Sequence, residues 1–111
     1  MAASRPPRRG EIWLAALDPT LGSEIQKTRP CVVVSPPEMN EHLRTMVVAP
    51  MTTGRRPAPF RIPITFQRKN GLILLDQLRT LDRQRLVRRL GVANAATLAQ
   101  VLDGLQAMFA P

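Results

Sequence analysis

Proline limits what this chain can build. Eleven prolines stand among its 111 residues, ten of them at or before residue 63. Each fixes φ, lacks a backbone N–H and breaks a helix interior, so long helices are suppressed ahead of the C-terminal quarter. Between the prolines lie short runs enriched in apolar and β-branched residues, at 11–17, 31–35, 45–49, 60–65 and 72–76. Asp18-Pro19, Pro36-Pro37, Arg56-Pro57-Ala58-Pro59 and Asn70-Gly71 punctuate them with turn chemistry. The pattern predicts a mainly β (α+β) domain built on a small, strongly bent antiparallel barrel. Pro63 interrupts the fourth run and donates nothing to a ladder, which places that strand at an edge or on a bulge.

The C-terminus follows another period. Asn94 is an N-cap residue type, and Leu98, Val101, Leu102, Leu105, Met108 and Phe109 recur at spacings of three and four. This predicts an amphipathic helix packed on the barrel. Residues 81–90 read equally as a short helix or as a turn leading to a strand, because the five-residue spacing of Leu81 and Leu86 fits neither period. No repeat or internal linker divides the chain, so one domain over 9–111 is expected, preceded by a basic, flexible tail at 1–8.

Sixteen Lys and Arg against eight Asp and Glu give a formal charge of +8 and a pI near 11.6. Such a balance attracts polyanions, with nucleic acid as the leading partner class and an acidic protein as the alternative. Fourteen of the sixteen cations are arginines, whose guanidinium forks bind phosphate through paired hydrogen bonds. A single cysteine excludes an internal disulfide, and no Cys or His cluster exists from which to build a zinc site. No run of about 18 apolar residues is present to span a membrane, and a reducing cytoplasm is the expected location.

Function concentrates in two segments. The loop at 22–30 carries Glu24, Lys27 and Arg29 and is followed by the valine-rich run that begins after Pro30. The run at 45–49 delivers Thr52 and Thr53 to a polar strand end ahead of Gly54. A carboxylate, a guanidinium and a threonine hydroxyl at neighbouring strand ends suit the handling of a phosphodiester. Residues 53–60, with Arg55 and Arg56, read as a mobile lip over that site and a candidate for base recognition, with Phe60 as stacking platform; Trp13 reads as core. Asp76 and Gln77 either contact nucleic-acid bases or cap a turn and tie the Arg79 loop to the core. The run of Arg79, Arg83, Arg85, Arg88 and Arg89 suits phosphate contacts or a solvated face.

These residues, in this order, resemble a known family. Arg9-Gly10-Glu11-Ile12-Trp13, Asp18-Pro19, Gly22-Ser23-Glu24, Arg29-Pro30, Pro50-Met51-Thr52-Thr53 and Leu75-Asp76-Gln77-Leu78-Arg79-Thr80 resemble the MazF/PemK toxins of bacterial type II toxin-antitoxin systems. The resemblance implies a homodimeric, SH3-like barrel of the CcdB/PemK type. It implies a sequence-specific endoribonuclease that cuts single-stranded RNA without metal or cofactor and is silenced by a cognate antitoxin. By position it implies Arg29 and Thr52 as active-site residues, with Glu24 as a further functional carboxylate. The Kid/PemK branch carries an arginine two residues before the Asp-Gln pair and an early histidine. Here Leu74 takes that place and His42, the only histidine, follows Pro36-Pro37, so the MazF-type assignment is the one carried over. The rival from the same fold class is a CcdB-like poison of DNA gyrase, which has no use for the Arg29 and Thr52 pair. The basic charge and the family together imply an antitoxin with an acidic C-terminal segment.

Metal-free cleavage uses the substrate's own 2′-hydroxyl, so the protein must remove a proton, steady a dianionic phosphorane and protonate the leaving 5′-oxygen. Arg29 suits the second task and Thr52 adds a donor to the same oxygens. Arginine keeps its proton too tightly to serve as base, which leaves Glu24 as the candidate base if partial burial raises its pKa.

Overall fold

The computed structural model describes residues 5–111. Its elements run β1 (Glu11–Ala16), β2 (Thr28–Val33), α1 (Pro37–His42), β3 (Thr45–Thr52), β4 (Arg61–Phe66), β5 (Lys69–Leu74), β6 (Arg79–Asp82), β7 (Leu86–Val92) and α2 (Ala95–Phe109). The strands pair antiparallel in the order β4-β5-β3-β2-β1-β7, with β6 on β3 beside β5. They form a curled half-barrel sheet with the C-terminal helix laid against it, as the sequence predicts. β4 ends the path, where Pro63 is tolerated.

The run Cys31-Val32-Val33-Val34 is apolar at every position because both faces of β2 are covered. Cys31 and Val33 join Ala15, Met46, Val48 and Leu74 inside the curl, with Trp13 packed against them. Val32 and Val34 join Ile12, Ala49 and Ile73 on the other face, under Val101, Leu105 and Met108 of α2. The Asn94 side chain accepts a hydrogen bond from Thr97 N at 2.8 Å, so the helix begins where its cap residue stands. Phe109, counted among its apolar positions, is instead exposed.

Other elements depart from the sequence reading. The undecided stretch 81–90 is two strands joined by a 3-10 turn, Arg83–Arg85. Leu81 and Leu86 are five apart because they belong to different strands, yet both pack on the same core. Pro37 opens a short helix, α1, whose last residue is His42, where the sequence suggests a loop; its fixed φ suits a first helical turn. Asn70-Gly71 is not the β4–β5 turn. Gln67 and Arg68 make that turn with φ of 51° and 64°, and Asn70 and Gly71 lie within β5. Of the tail expected at 1–8, residues 1–4 lie outside the described residues. Residues 5–8 lie between α1 and the start of β1, with Pro7 buried, its carbonyl accepting from Asn40 Nδ2 at 3.0 Å, and Arg5 and Arg8 bonded to Glu11.

Candidate active site

The β2–β3 ladder opens at its prolines. Its register pairs Val33 with Val48, Val32 with Ala49 and Cys31 with Pro50, and no pair follows. Pro30 and Pro50 have no N–H to extend it. Pro30 therefore lies inside β2, opposite Leu14 of β1, two residues after the strand begins at Thr28. Beyond the last pair β3 turns to β5, setting Met51 opposite Ile73 and Thr52 opposite Leu72. The gap left between β2 and β3 is a cleft of about 210 Å³ lined by Arg29, Thr52, Thr53, Phe66, Lys69 and Gly71, among others.

Thr52 is only 8% exposed, and its Oγ accepts from Gly54 N at 3.2 Å, leaving its own proton free to donate. Arg29 is half-buried; its Nε donates to Gln26 O at 3.2 Å, and its terminal nitrogens make no hydrogen bond among the described residues. Gly71 closes the cleft floor. A Cβ there would stand 2.7 Å from the Thr52 carbonyl oxygen, so β5 can approach Thr52 this closely only with glycine. Lys69 and Phe66, absent from the sequence-based site, reach the cleft because the hairpin turns at Gln67 and Arg68 rather than at Asn70-Gly71.

Glu24 lies elsewhere. It lines a second cleft, of about 540 Å³, with Ser23, Pro50, Asp76, Gln77 and Arg79. Its carboxylate Oε1 accepts from Leu21 N at 2.6 Å within its own loop, and the residue is exposed, so the burial that a role as base requires is missing. Arg29 and Thr52 are thus brought together, whereas Glu24 joins Asp76, Gln77 and Arg79 one β3 residue further along.

The loops around the second cleft are bound to one another. Gln77 Oε1 accepts from Ile25 N at 2.6 Å, and Gln77 Nε2 donates to Ser23 O at 3.2 Å. Arg55 Nη2 donates to the same Ser23 oxygen at 3.1 Å, which ties the expected lip down. Arg61 bonds both oxygens of Asp76, at 3.2 and 3.0 Å, and its Nη1 donates to Arg56 O at 3.1 Å. Leu74, standing where one branch has arginine, pairs in register with Arg61, so a guanidinium reaches Asp76 from across the hairpin. Sequence reading missed Arg61; the available signal was its place opposite Leu74, legible once the turn residues are known. Phe60, at 38% exposure and φ 65°, lines neither cleft, and Arg56 and Lys27 are exposed.

Part of the basic run is structural. Arg79 Nη1 donates to Leu17 O, Arg85 Nη1 to Ala16 O and Asp18 O, and Arg89 Nε to Glu11. Burial pushes the Cys31 thiol up to about 12, which leaves it unreactive. No helix among the described residues is long and apolar enough to cross a membrane.

Comparison with known proteins gives these features a context. The family model described as PemK-like, MazF-like toxin of type II toxin-antitoxin system matches residues 8–109. Endoribonuclease PemK of Escherichia coli is 44% identical over 79 residues, which cover 67% of this chain and 59% of that protein. The chain therefore matches less than two thirds of that relative's length. The crystal structure of MazF from Deinococcus radiodurans aligns with a TM-score of 0.85 at 28% identity, covering 97% of this chain and all of the other. An endoribonuclease in complex with its cognate antitoxin, from a mycobacterial species, aligns with a TM-score of 0.79 at 25% identity, covering 95% and 97%.

Proposed function

The chain belongs to the PemK-like, MazF-like toxins of type II toxin-antitoxin systems, and from that premise we propose that it is an endoribonuclease that cuts single-stranded RNA at short sequences in the Arg29/Thr52 cleft. The observation that carries the reading is the cleft itself: a guanidinium with free terminal N–H groups and a threonine hydroxyl free to donate line one opening. The 2′-oxygen attacks phosphorus as its proton passes to water, the P–O5′ bond breaks, and the 5′-oxygen takes up a proton from water. The products are 2′,3′-cyclic phosphate and 5′-hydroxyl ends, and no metal enters the balance. Arg29 and Thr52 face the non-bridging oxygens, where fixed donors in a partly dry cleft stabilise the phosphorane. Glu24 orders its loop through the bond to Leu21 N.

RNA leaves this cleft across Pro50 and Met51 into the larger one, where Asp76 and Arg79 stand; Lys27, Thr53 and Arg56 are exposed for contacts along the path. A homodimer acting in the cytoplasm, and a cognate antitoxin with an acidic C-terminal segment, complete the proposal. The net charge of +8 supports the latter. A CcdB-like reading gains nothing from the relatives, which are named endoribonucleases.

The test is incubation of the purified chain, Arg29→Ala and Thr52→Ala with a long single-stranded RNA in EDTA. Discrete cuts with 2′,3′-cyclic phosphate ends are expected, falling about 10²–10³-fold in each variant, the usual loss for one donor to a transition-state oxyanion. Undiminished cutting by both variants, or intact RNA with the folded parent chain, overturns the proposal.

A further inference from the structure

Arg29 is oriented at second hand. Its hydrogen bond from Nε ends on the carbonyl of Gln26, a loop residue whose own position must be fixed for the guanidinium to face the cleft. The preceding residue, Ile25, is anchored twice: its side chain is buried, and its N–H donates to Gln77 Oε1 at 2.6 Å. Two residues earlier the Ser23 carbonyl accepts from Gln77 Nε2 at 3.2 Å. One side-chain amide therefore binds a carbonyl and an N–H two residues apart and splints 23–25 where the chain leaves the turn that Glu24 N closes on Leu21 O at 3.1 Å. Gln77 is itself held on the 3-10 turn Leu75–Gln77, whose first residue is fully buried.

We propose that Gln77 is a positioning residue for cleavage: it clasps the β1–β2 loop so that the Gln26 carbonyl presents Arg29 to the scissile phosphate. The inference rests on the reading of Arg29 and Thr52 as the cleavage centre. It assigns Gln77 a task apart from RNA contact, since its oxygen and its nitrogen are both engaged by the loop. Arg55, which donates to the same Ser23 oxygen, secures one end of the splint but leaves the Ile25 N–H unserved. The Gln77 oxygen is thus the atom that matters most; glutamate retains that acceptor and leaves the Ser23 carbonyl to Arg55 alone.

The experiment compares the parent chain, Gln77→Leu, Gln77→Glu and Arg29→Ala on a short RNA oligonucleotide containing the mapped cut. It measures kcat and KM, and hydrogen exchange at the Ile25 amide. Gln77→Leu is expected to lower kcat about tenfold with KM within about twofold, as a misaimed group does, and to release the Ile25 amide to exchange. Gln77→Glu, which keeps the acceptor, is expected to recover more than half of the lost kcat and the Ile25 protection. A raised KM with kcat unchanged would make Gln77 an RNA contact and overturn the proposal, as would an Ile25 amide that exchanges equally in all four proteins. Full kcat in Arg29→Ala would instead sink the cleavage-centre reading, and the Ile25 exchange would still judge the clasp.

Discussion

Glu11 is 3% exposed and accepts from Arg5 Nη2, Arg8 N, Trp13 Nε1 and Arg89 Nε. Burial alone would raise its pKa; the hydrogen bonds from Arg5, the Arg8 backbone and Trp13, with the Arg5 charge, outweigh it and lower the value to about 2 from 4.5. A carboxyl depressed on folding adds stability that is complete above its unfolded pKa and disappears as pH falls through the folded one. Glu11 is therefore expected to contribute about 3 kcal/mol near neutrality, lost between about pH 5 and pH 2. Urea unfolding of the parent chain and Glu11→Gln across that range should show the difference between them shrinking towards pH 2; a constant gap would contradict the assignment. At this scale the sequence was partly legible. Arg29 and Thr52, which line one cleft, could be singled out together because each stands at a polar strand end within a motif of the resemblance. Lys69, Gly71 and Arg61 could not, because their roles come from cross-strand neighbours.

Elements were legible where their signals are local. Helix α2 is specified by a cap one residue before its start and by spacings within its own span. Asn94→Ala is expected to cost about 1 kcal/mol, read as a lowered urea midpoint with an unchanged slope; no change would mean that packing under Val101 alone sets the helix start. The β4–β5 hairpin was misread because Asn70-Gly71 is strong turn chemistry locally, while Gly71 is claimed by the close approach to Thr52. The turn falls instead to Gln67 and Arg68, at the cost of two left-handed residues without glycine. The stretch 81–90 stayed undecided because a three-residue 3-10 turn is too short to leave a period of its own. Pro36-Pro37 carries a turn signal in the sequence, yet Pro37 opens α1, because a fixed φ serves a first helical turn as well as a turn.

For the whole molecule, charge and topology decide different things. The charge of +8 is not all available to RNA, since Arg5 and Arg89 serve Glu11, Arg61 serves Asp76, and Arg79 and Arg85 brace backbone carbonyls. Around the cleft, Lys27, Arg29, Arg56 and Lys69 are four cations with no carboxylate partner among the described residues, while Arg55 is engaged by the Ser23 carbonyl. Four phosphate contacts predict a slope of about −3 in log affinity against log salt for single-stranded RNA, measured on the Thr52→Ala variant to prevent cutting. A slope twice as steep would mean that the structural arginines also reach the backbone. The topology bears on timing. Arg29 and Thr52 precede the β4–β5 hairpin that walls their cleft, and Ile12 waits for Gly91 to complete its pairing. A polypeptide emerging N-terminus first carries both site residues well before the surface that confronts them with a phosphate exists. On the proposed reading of the cleft, the order of synthesis thus leaves the cleavage centre unbuilt in the nascent chain until the β4–β5 hairpin has emerged.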